Sequence, residues 1–350
     1  MAGGQTDKRI LFISNGHGED AIAAQIARRL PTGMVAEAYP TLGAGHAYDG
    51  VCPVVGPRAE LPSEGWRNVR GSVLRDLGGG GLGTLLPGIR FFRSLRGRYH
   101  RIVVVGDMIG VYGCFLGGLR EIVYVDVYKT GFGRSYLTLD KGVLKAVART
   151  VFCRAEPLAA ALRRWRIDAR AAGNVMMDTI PRTGWTPERA KLLSVAVLPG
   201  SRTHAAENFA LQTAAFERLR ELPDIFVAVA GGVDLPRHPG MTFVPGTALG
   251  DVLDAADLVL SQAGTATVQA IGLGKPVITF RNAHDRASRF DDEQRLFGEA
   301  RQVVPADPGA IAERMTLLLG NAPERRRLGD IGRERVGGAG ALGEILAALE

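Results

Sequence analysis

The chain has 350 residues, long for one hydrophobic core and comfortable for two. It is 46% hydrophobic and 23% charged, ordinary for a globular protein, and its net charge of +7 favours an anionic partner such as nucleotide phosphates, an acidic membrane surface or nucleic acid. Cys52, Cys114 and Cys153 have neither paired nor metal-ligand spacing, which argues against a disulfide framework and for a reduced, cytosolic chain. The N-terminus lacks the apolar core of a signal peptide, and the most apolar stretch, 102–119, is interrupted by Asp107 and several glycines rather than reading as a membrane span.

In chain order, residues 1–8 read as a disordered lead, and 9–14 (RILFIS) as a strand buried in a parallel sheet. The turn Asn15-Gly16-His17-Gly18-Glu19-Asp20 follows, and 21–30 places Ile22, Ala23, Ile26 and Leu30 at helical spacing. Glu19 and Asp20 would suit a helix N-terminus through its dipole. A turn that crowds Asn, His, Glu and Asp around two glycines nevertheless exceeds what capping needs, and it should lie at the carboxyl end of the sheet, where α/β proteins bind ligands. Residues 34–39 predict a second strand. Residues 58–98 leave the strand–helix alternation. There Phe91, Phe92 and Leu95 interleave with Arg90, Arg93, Arg96 and Arg98. This pattern fits a core-facing helix with a solvated arginine face, which is favoured on the pattern alone, or an interfacial membrane contact.

Residues 101–106 (RIVVVG) are a strong buried strand with Asp107 at its carboxyl end. Asp107 either caps the helix predicted over 108–119 or acts as a base, its pKa lifted toward neutrality by partial burial. A strand at 122–127 ends in a polar turn at 126–131. Residues 144–155 run from helix into strand, 157–166 predict a helix and 169–173 a strand. The turn Gly173-Asn174-Val175-Met176-Met177-Asp178 closes the first half, and 180–193 has the proline, glycine and charge content of a linker.

In the second half a strand at 195–198 leads into Leu198-Pro199-Gly200-Ser201-Arg202, where Arg202 can neutralise a diphosphate. Helix (209–222), strand (225–230), short strand (242–244) and short helix (249–255) follow. Residues 257–261 are a buried strand, Gln262-Ala263-Gly264 break it, 265–273 form a helix, Gly274-Lys275-Pro276 stop it and 277–280 are the next strand. Such a small-residue turn lets the backbone approach a ligand, and the helix N-terminus offers free N–H groups to an anion. Thr265 and Thr267 add hydroxyls at that end, though Thr265 would equally serve as an ordinary cap. A loop through 281–295, a strand at 303–304, a helix at 308–319 and a final helical stretch at 324–350 complete the chain.

The Leu198–Arg202 turn followed by the Gly264-Thr265-Ala266-Thr267 helix start resembles the C-terminal half of GT-B glycosyltransferases, most of all lipid-A-disaccharide synthase and its related-protein family. The Ser14–Asp20 opening and the Gly173–Asp178 turn carry the same resemblance in the first half. It is more diffuse to the lipid-II N-acetylglucosaminyltransferase and to UDP-N-acetylglucosamine 2-epimerase. Two departures stand out: Val175 replaces a proline, and Gln269 replaces the glutamate that in such enzymes grips the ribose hydroxyls. Glutamine still hydrogen-bonds but carries no charge.

The resemblance implies an α/β fold of GT-B type, two facing Rossmann-like domains with parallel sheets and a cleft between them. Residues 1–174 would be the acceptor domain, 175–194 a linker, 195–325 the nucleotide-sugar domain and 326–350 a helix crossing back. It places a UDP-sugar on Gly200, Ser201, Arg202, Gly264, Thr265, Ala266, Thr267, Gln269 and Gln294, with the acceptor near Asn15, Gly16, His17 and Gly18. Asp107 or Glu19 is the base, and Phe91, Phe92, Leu95, Arg90 and Arg93 are a membrane patch. The implied activity is an inverting, metal-independent hexosyltransferase with no cofactor beyond its UDP-sugar donor. It would act on a lipid-linked acceptor, in the cytoplasm or on the inner face of the plasma membrane, without nucleic acid as partner. A 2-epimerase-like isomerase and a non-catalytic nucleotide-sugar binding protein are the alternatives.

Overall fold

A computed structural model of the chain describes residues 7–57, 82–129, 131, 135–200, 204–283, 285 and 287–350. The chain divides into two compact units, one of Met1–Thr179 with Ala339–Glu350 and one of Ile180–Gly338. No helix among the described residues is long and apolar enough to cross a membrane.

Unit 1 contains β1 (Lys8–Ser14), α1 (His17–Ala27), β2 (Met34–Pro40), α2 (Leu82–Ser94), β3 (Arg101–Gly106), α3 (Met108–Gly117), β4 (Ile122–Asp126), α4 (Thr138–Val147), β5 (Ala148–Phe152), α5 (Glu156–Arg163), β6 (Ala169–Arg170) and one helical turn, α6 (Val175–Asp178). The strands pair in parallel in the order β2-β1-β3-β4-β5-β6. Their apolar runs are continuous rather than alternating because helices cover both faces of such a sheet. Leu11, Ile13, Val104, Val111, Cys114 and Tyr124 lie in its core.

Unit 2 repeats the plan with β7 (Ser194–Leu198), α7 (Ala205–Phe216), β8 (Asp224–Val229), β9 (Met241–Pro245), α8 (Leu249–Ala255), β10 (Leu258–Ser261), α9 (Thr265–Gly272), β11 (Val277–Phe280), α10 (Ala287–Phe297), β12 (Arg301–Val304), α11 (Pro308–Leu319) and α12 (Ala322–Val336). Its parallel order is β12-β11-β10-β7-β8-β9. Val197, Phe209, Leu260, Phe280 and Ile311 fill the core.

Several local expectations are corrected. α1 starts at His17, four residues early: Gly16, at φ +153°, ends the strand, and its carbonyl already accepts Asp20 N–H (2.8 Å). His17, Gly18, Glu19 and Asp20 are therefore the first helical turn. Residues 324–350 are not one helix. Gly337 (φ +80°) and Gly340 (φ +134°) interrupt them, and the last helix, Ala341–Ala347, belongs to unit 1. Asp178 holds that helix by accepting the N–H groups of Gly340, Ala341 and Leu342 (2.8, 3.0 and 3.3 Å), which otherwise have no intrahelical partner.

The aromatic residues of the supposed membrane patch face the core. Phe92 is 7% exposed and Leu95 1%, and the Phe91 ring meets Tyr39 edge-on at 4.6 Å. Phe92 fits where α3 carries glycine: a Cβ on Gly113 would stand 2.3 Å from its ring, and one on Gly117 2.7 Å from its Cβ. Arg90 and Arg93 remain exposed on the other side. The interleaved pattern is that of a core-facing helix with a solvated arginine face.

Candidate functional site

Each sheet reverses its strand order once, and ligands of open α/β sheets bind outside the carboxyl ends of the strands at such a point. In unit 1 the reversal falls between β1 and β3, in unit 2 between β7 and β10. The glycine turns that follow β1, β7 and β10 therefore lie at those two points.

In unit 1, Ser14 pairs with Val105, so Asn15 comes level with Gly106 at the carboxyl edge. Asn15 Nδ2 donates to Asp107 Oδ1 (2.7 Å), and the same oxygen accepts Ile109 N–H (2.8 Å) as the cap of α3. Asp107 is thus both a cap and a half-buried carboxylate at the sheet edge. Gly106, at φ +134°, makes the arrangement possible: a Cβ there would lie 2.4 Å from Asn15 Oδ1 and 3.1 Å from Glu19 Cγ. Both candidate bases, Asp107 and Glu19, therefore converge with Asn15 on one glycine. Gly16 is buried beside them, and His17 is exposed at the helix start.

Beneath this turn lies a buried cluster that sequence reasoning missed. Ser14 Oγ donates to Asp20 Oδ1 (2.6 Å) and lies 2.6 Å from the Tyr48 hydroxyl, and all three residues are at most 3% exposed. Burial pushes the Asp20 carboxyl up to about 7, against the hydrogen bond from Ser14, which lowers it. The unfolded carboxyl titrates near 4, so between about pH 4 and pH 7 the folded chain holds the extra proton and loses stability as pH rises. Asp20→Asn is expected to gain about 2–3 kcal/mol on the wild type between about pH 5 and pH 8, measured as the difference in urea unfolding free energies. An unchanged difference across that range would show that Asp20 is ionised throughout.

A second buried carboxyl, Asp126 at the end of β4, accepts Tyr128 N–H and Lys129 N–H (both 2.9 Å) and the Tyr136 hydroxyl. Burial raises it to about 6, ahead of the opposing hydrogen bonds. The only sequence signal was an acid at a strand end followed by a polar turn.

In unit 2, Ser261 pairs with Leu198, so the turns after β7 and β10 lie side by side. Gly200 has φ +107°, and a Cβ on it would stand 3.4 Å from the Gln262 carbonyl oxygen. Ser201 and Arg202 lie outside the described residues. Gly264 is exposed, Thr265 and Ala266 are half-buried, and no side chain among the described residues caps α9, so its first N–H groups point to the carboxyl edge. Thr267 differs from expectation. It is 6% exposed, with its hydroxyl 2.6 Å from both Ser261 Oγ and the Ala263 carbonyl oxygen, so it shapes the turn. Gln269, one helical turn on, is 4% exposed. Gln294 is also corrected: it sits within α10, not in a loop, and its amide donates to the carbonyls of Gly298 (3.0 Å) and Arg301 (3.1 Å), tying α10 to β12.

Side-chain amides hold the carboxyl edge of this sheet, which the sequence pattern did not reveal. Asn208 donates to Pro199 O (2.9 Å), Gln262 to Phe280 O (2.9 Å) and Gln212 to Leu260 O (3.4 Å), while Asn282 donates to Asn208 Oδ1 (2.9 Å). The loops after β7, β10 and β11 are thereby fixed together. Two helix N-termini on adjacent strands, with glycine at the close approach, form a cradle suited to a diphosphate.

No protein-family model matches the sequence, and no curated protein does. Solved structures do match the fold. The calicheamicin glycosyltransferase is 17% identical with a TM-score of 0.55, the match covering 98% of each chain. MurG of Acinetobacter baumannii is 15% identical with a TM-score of 0.54, covering 97% of this chain and 98% of its own. The UDP-N-acetylglucosamine 2-epimerase of Neisseria meningitidis, solved with UDP-N-acetylglucosamine bound, is 11% identical with a TM-score of 0.58, covering 97% of both. The fold is GT-B. At these identities the likeness is one of architecture: two Rossmann-like units, each with six parallel strands.

Proposed function

We propose that this chain is a hexosyltransferase that moves a sugar from a UDP-sugar to a lipid-linked acceptor, in the manner of lipid-A-disaccharide synthase and its relatives. One observation carries most weight: the glycine turns after β1, β7 and β10 sit at strand-order reversals, the first flanked by convergent carboxylates and the last opening α9, whose start has no side-chain cap among the described residues. The N-termini of α7 and α9 would take the diphosphate, and Gly200 allows its close approach. The acceptor oxygen forms a bond to the anomeric carbon as the bond from that carbon to UDP breaks, inverting configuration. Asp107 or Glu19 accepts the acceptor's proton. The exposed Arg90 and Arg93 favour an anionic membrane surface.

The first test is a thermal-shift titration. UDP is expected to raise the melting temperature, by the equivalent of about 2.7 kcal/mol at a hundred times its Kd. Thr265→Glu places a carboxylate where the diphosphate would lie. It should leave the unliganded melting temperature unchanged or slightly higher, by about 0.3–1 kcal/mol from the helix dipole, while abolishing the UDP shift. No shift with any UDP species at millimolar concentration would reject the donor assignment.

The 2-epimerase reading is favoured by the likeness to the Neisseria meningitidis enzyme solved with UDP-N-acetylglucosamine. It predicts conversion of UDP-N-acetylglucosamine with no acceptor present. A transferase releases UDP in step with acceptor glycosylation.

A further inference from the structure

A basic depression of about 260 Å³ in unit 1 is lined by Lys145, Arg164, Trp165 and Arg166. Lys145 comes from α4, and the other three follow the end of α5. Lys141, one turn before Lys145 on the same helix face, places its Nζ 5.7 Å from the centre of the Trp165 ring. Trp165 is half-buried against the core, which fixes the ring, while Lys145, Arg164 and Arg166 are exposed.

Neighbouring arginines are neutralised: Arg163 pairs with Glu156, Arg149 with Glu121 (3.4 Å) and Arg170 with Asp168 and Glu344 (both 3.2 Å). Lys145, Arg164 and Arg166 have no carboxylate partner among the described residues. Converging cations without counter-charge repel one another, and the arrangement is relieved by an anion.

The backbone adds a second observation. α5 ends in a Schellman motif, with Arg166 N–H on Arg163 O (2.9 Å) and Ile167 N–H on Leu162 O (3.3 Å). The pivot of that motif is left-handed, and Arg166 has φ +60°. Among the described residues two other helices end in the same way, and both use glycine at the pivot: Gly118 (φ +71°) after α3 and Gly274 (φ +79°) after α9. Helix dipoles account for basic residues near helix ends in general. They do not account for an arginine in strained backbone where equivalent ends carry glycine.

We propose that the depression formed by Lys145, Arg164, Trp165 and Arg166 binds the phosphate group of an anionic ligand, either a free phosphorylated molecule or an anionic phospholipid headgroup. Guanidinium forks match phosphate oxygens in pairs, and the lysine adds a point charge. The lining residues all belong to unit 1, and the proposal does not depend on the proposed reaction.

The decisive variant is Arg166→Gly, because it removes the charge and relieves the backbone at once. With the full chain at low salt, inorganic pyrophosphate is titrated by calorimetry and by tryptophan fluorescence. Phosphatidylcholine vesicles with and without phosphatidylglycerol are tested by co-sedimentation. Saturable binding is expected in one arm: pyrophosphate binding marks a free phosphorylated ligand, and phosphatidylglycerol-dependent sedimentation marks a headgroup. In that arm Arg166→Gly should weaken binding about tenfold while leaving the melting temperature equal or higher. Lys145→Ala should weaken it in the same direction, and Trp165→Phe should remove the fluorescence change. Binding in neither arm, or binding that Arg166→Gly leaves unchanged, overturns the proposal.

Discussion

Asp107→Asn is expected to lower kcat for sugar transfer by about 10²–10⁴-fold, the range over which a general base acts. The substitution separates chemistry from structure. Asp107 caps α3 through one oxygen, which accepts Ile109 N–H at 2.8 Å and Asn15 Nδ2 at 2.7 Å. Asparagine presents a carbonyl oxygen at the same place and ranks with aspartate as a cap, so stability should change by only about 0.5 kcal/mol. The UDP-induced stabilisation expected from the proposed donor site in unit 2 should persist. A fall in kcat with melting temperature and UDP shift preserved assigns the proton transfer to Asp107. Full activity in the variant would move the base to Glu19, whose Cγ approaches the same glycine, and Glu19→Gln then becomes the matching experiment.

Phe92→Ala is expected to cost about 3–5 kcal/mol of unfolding free energy, the range for removing a buried aromatic side chain. Its ring lies over Gly113, and its Cβ and backbone lie against Gly117, so truncation leaves a hole that two helix backbones cannot close. Arg90→Ala and Arg93→Ala, on the exposed side of α2, should each change stability by no more than about 0.5 kcal/mol. Urea denaturation of the three variants measures this. Near-neutral Phe92→Ala combined with weakened membrane binding would return Phe92 to a lipid-facing role. Loss of stability without a membrane phenotype leaves Arg90 and Arg93, not the aromatic face of α2, as the part of this helix able to meet an anionic surface.

Much of the architecture is visible in single stretches. Residues 9–14, 101–106 and 257–261 are apolar without alternation, and only a sheet covered on both faces accommodates that. The glycine turns after β1, β7 and β10 mark where the backbone must bend sharply or admit a ligand. Helix starts were less legible. α1 begins at His17 because Gly16 supplies the carbonyl that accepts Asp20 N–H, and a glycine-flanked polar segment looks like a loop until that bond is seen. Gln294 resembled a loop contact for the same reason, although its amide closes α10 onto β12.

The amino-acid sequence by itself determined the alternation of strands and helices, the division into two halves and the places where glycine turns the chain at the ends of β1, β7 and β10. These are properties of neighbouring residues: apolar periodicity, β-branching and glycine's freedom at positive φ. The tertiary structure alone decided which of those features face one another. The pinning of Asp107 by Asn15, 92 residues away, needs β1 and β3 side by side. The Ser14–Asp20–Tyr48 cluster needs the segment after β2 folded against α1. Phe92 needed the glycines of α3 to show that its stripe is core. Hydrogen bonds and packing act over a few ångströms in space, so side chains far apart in the chain acquire a shared role only once the sheet order has brought their strands together.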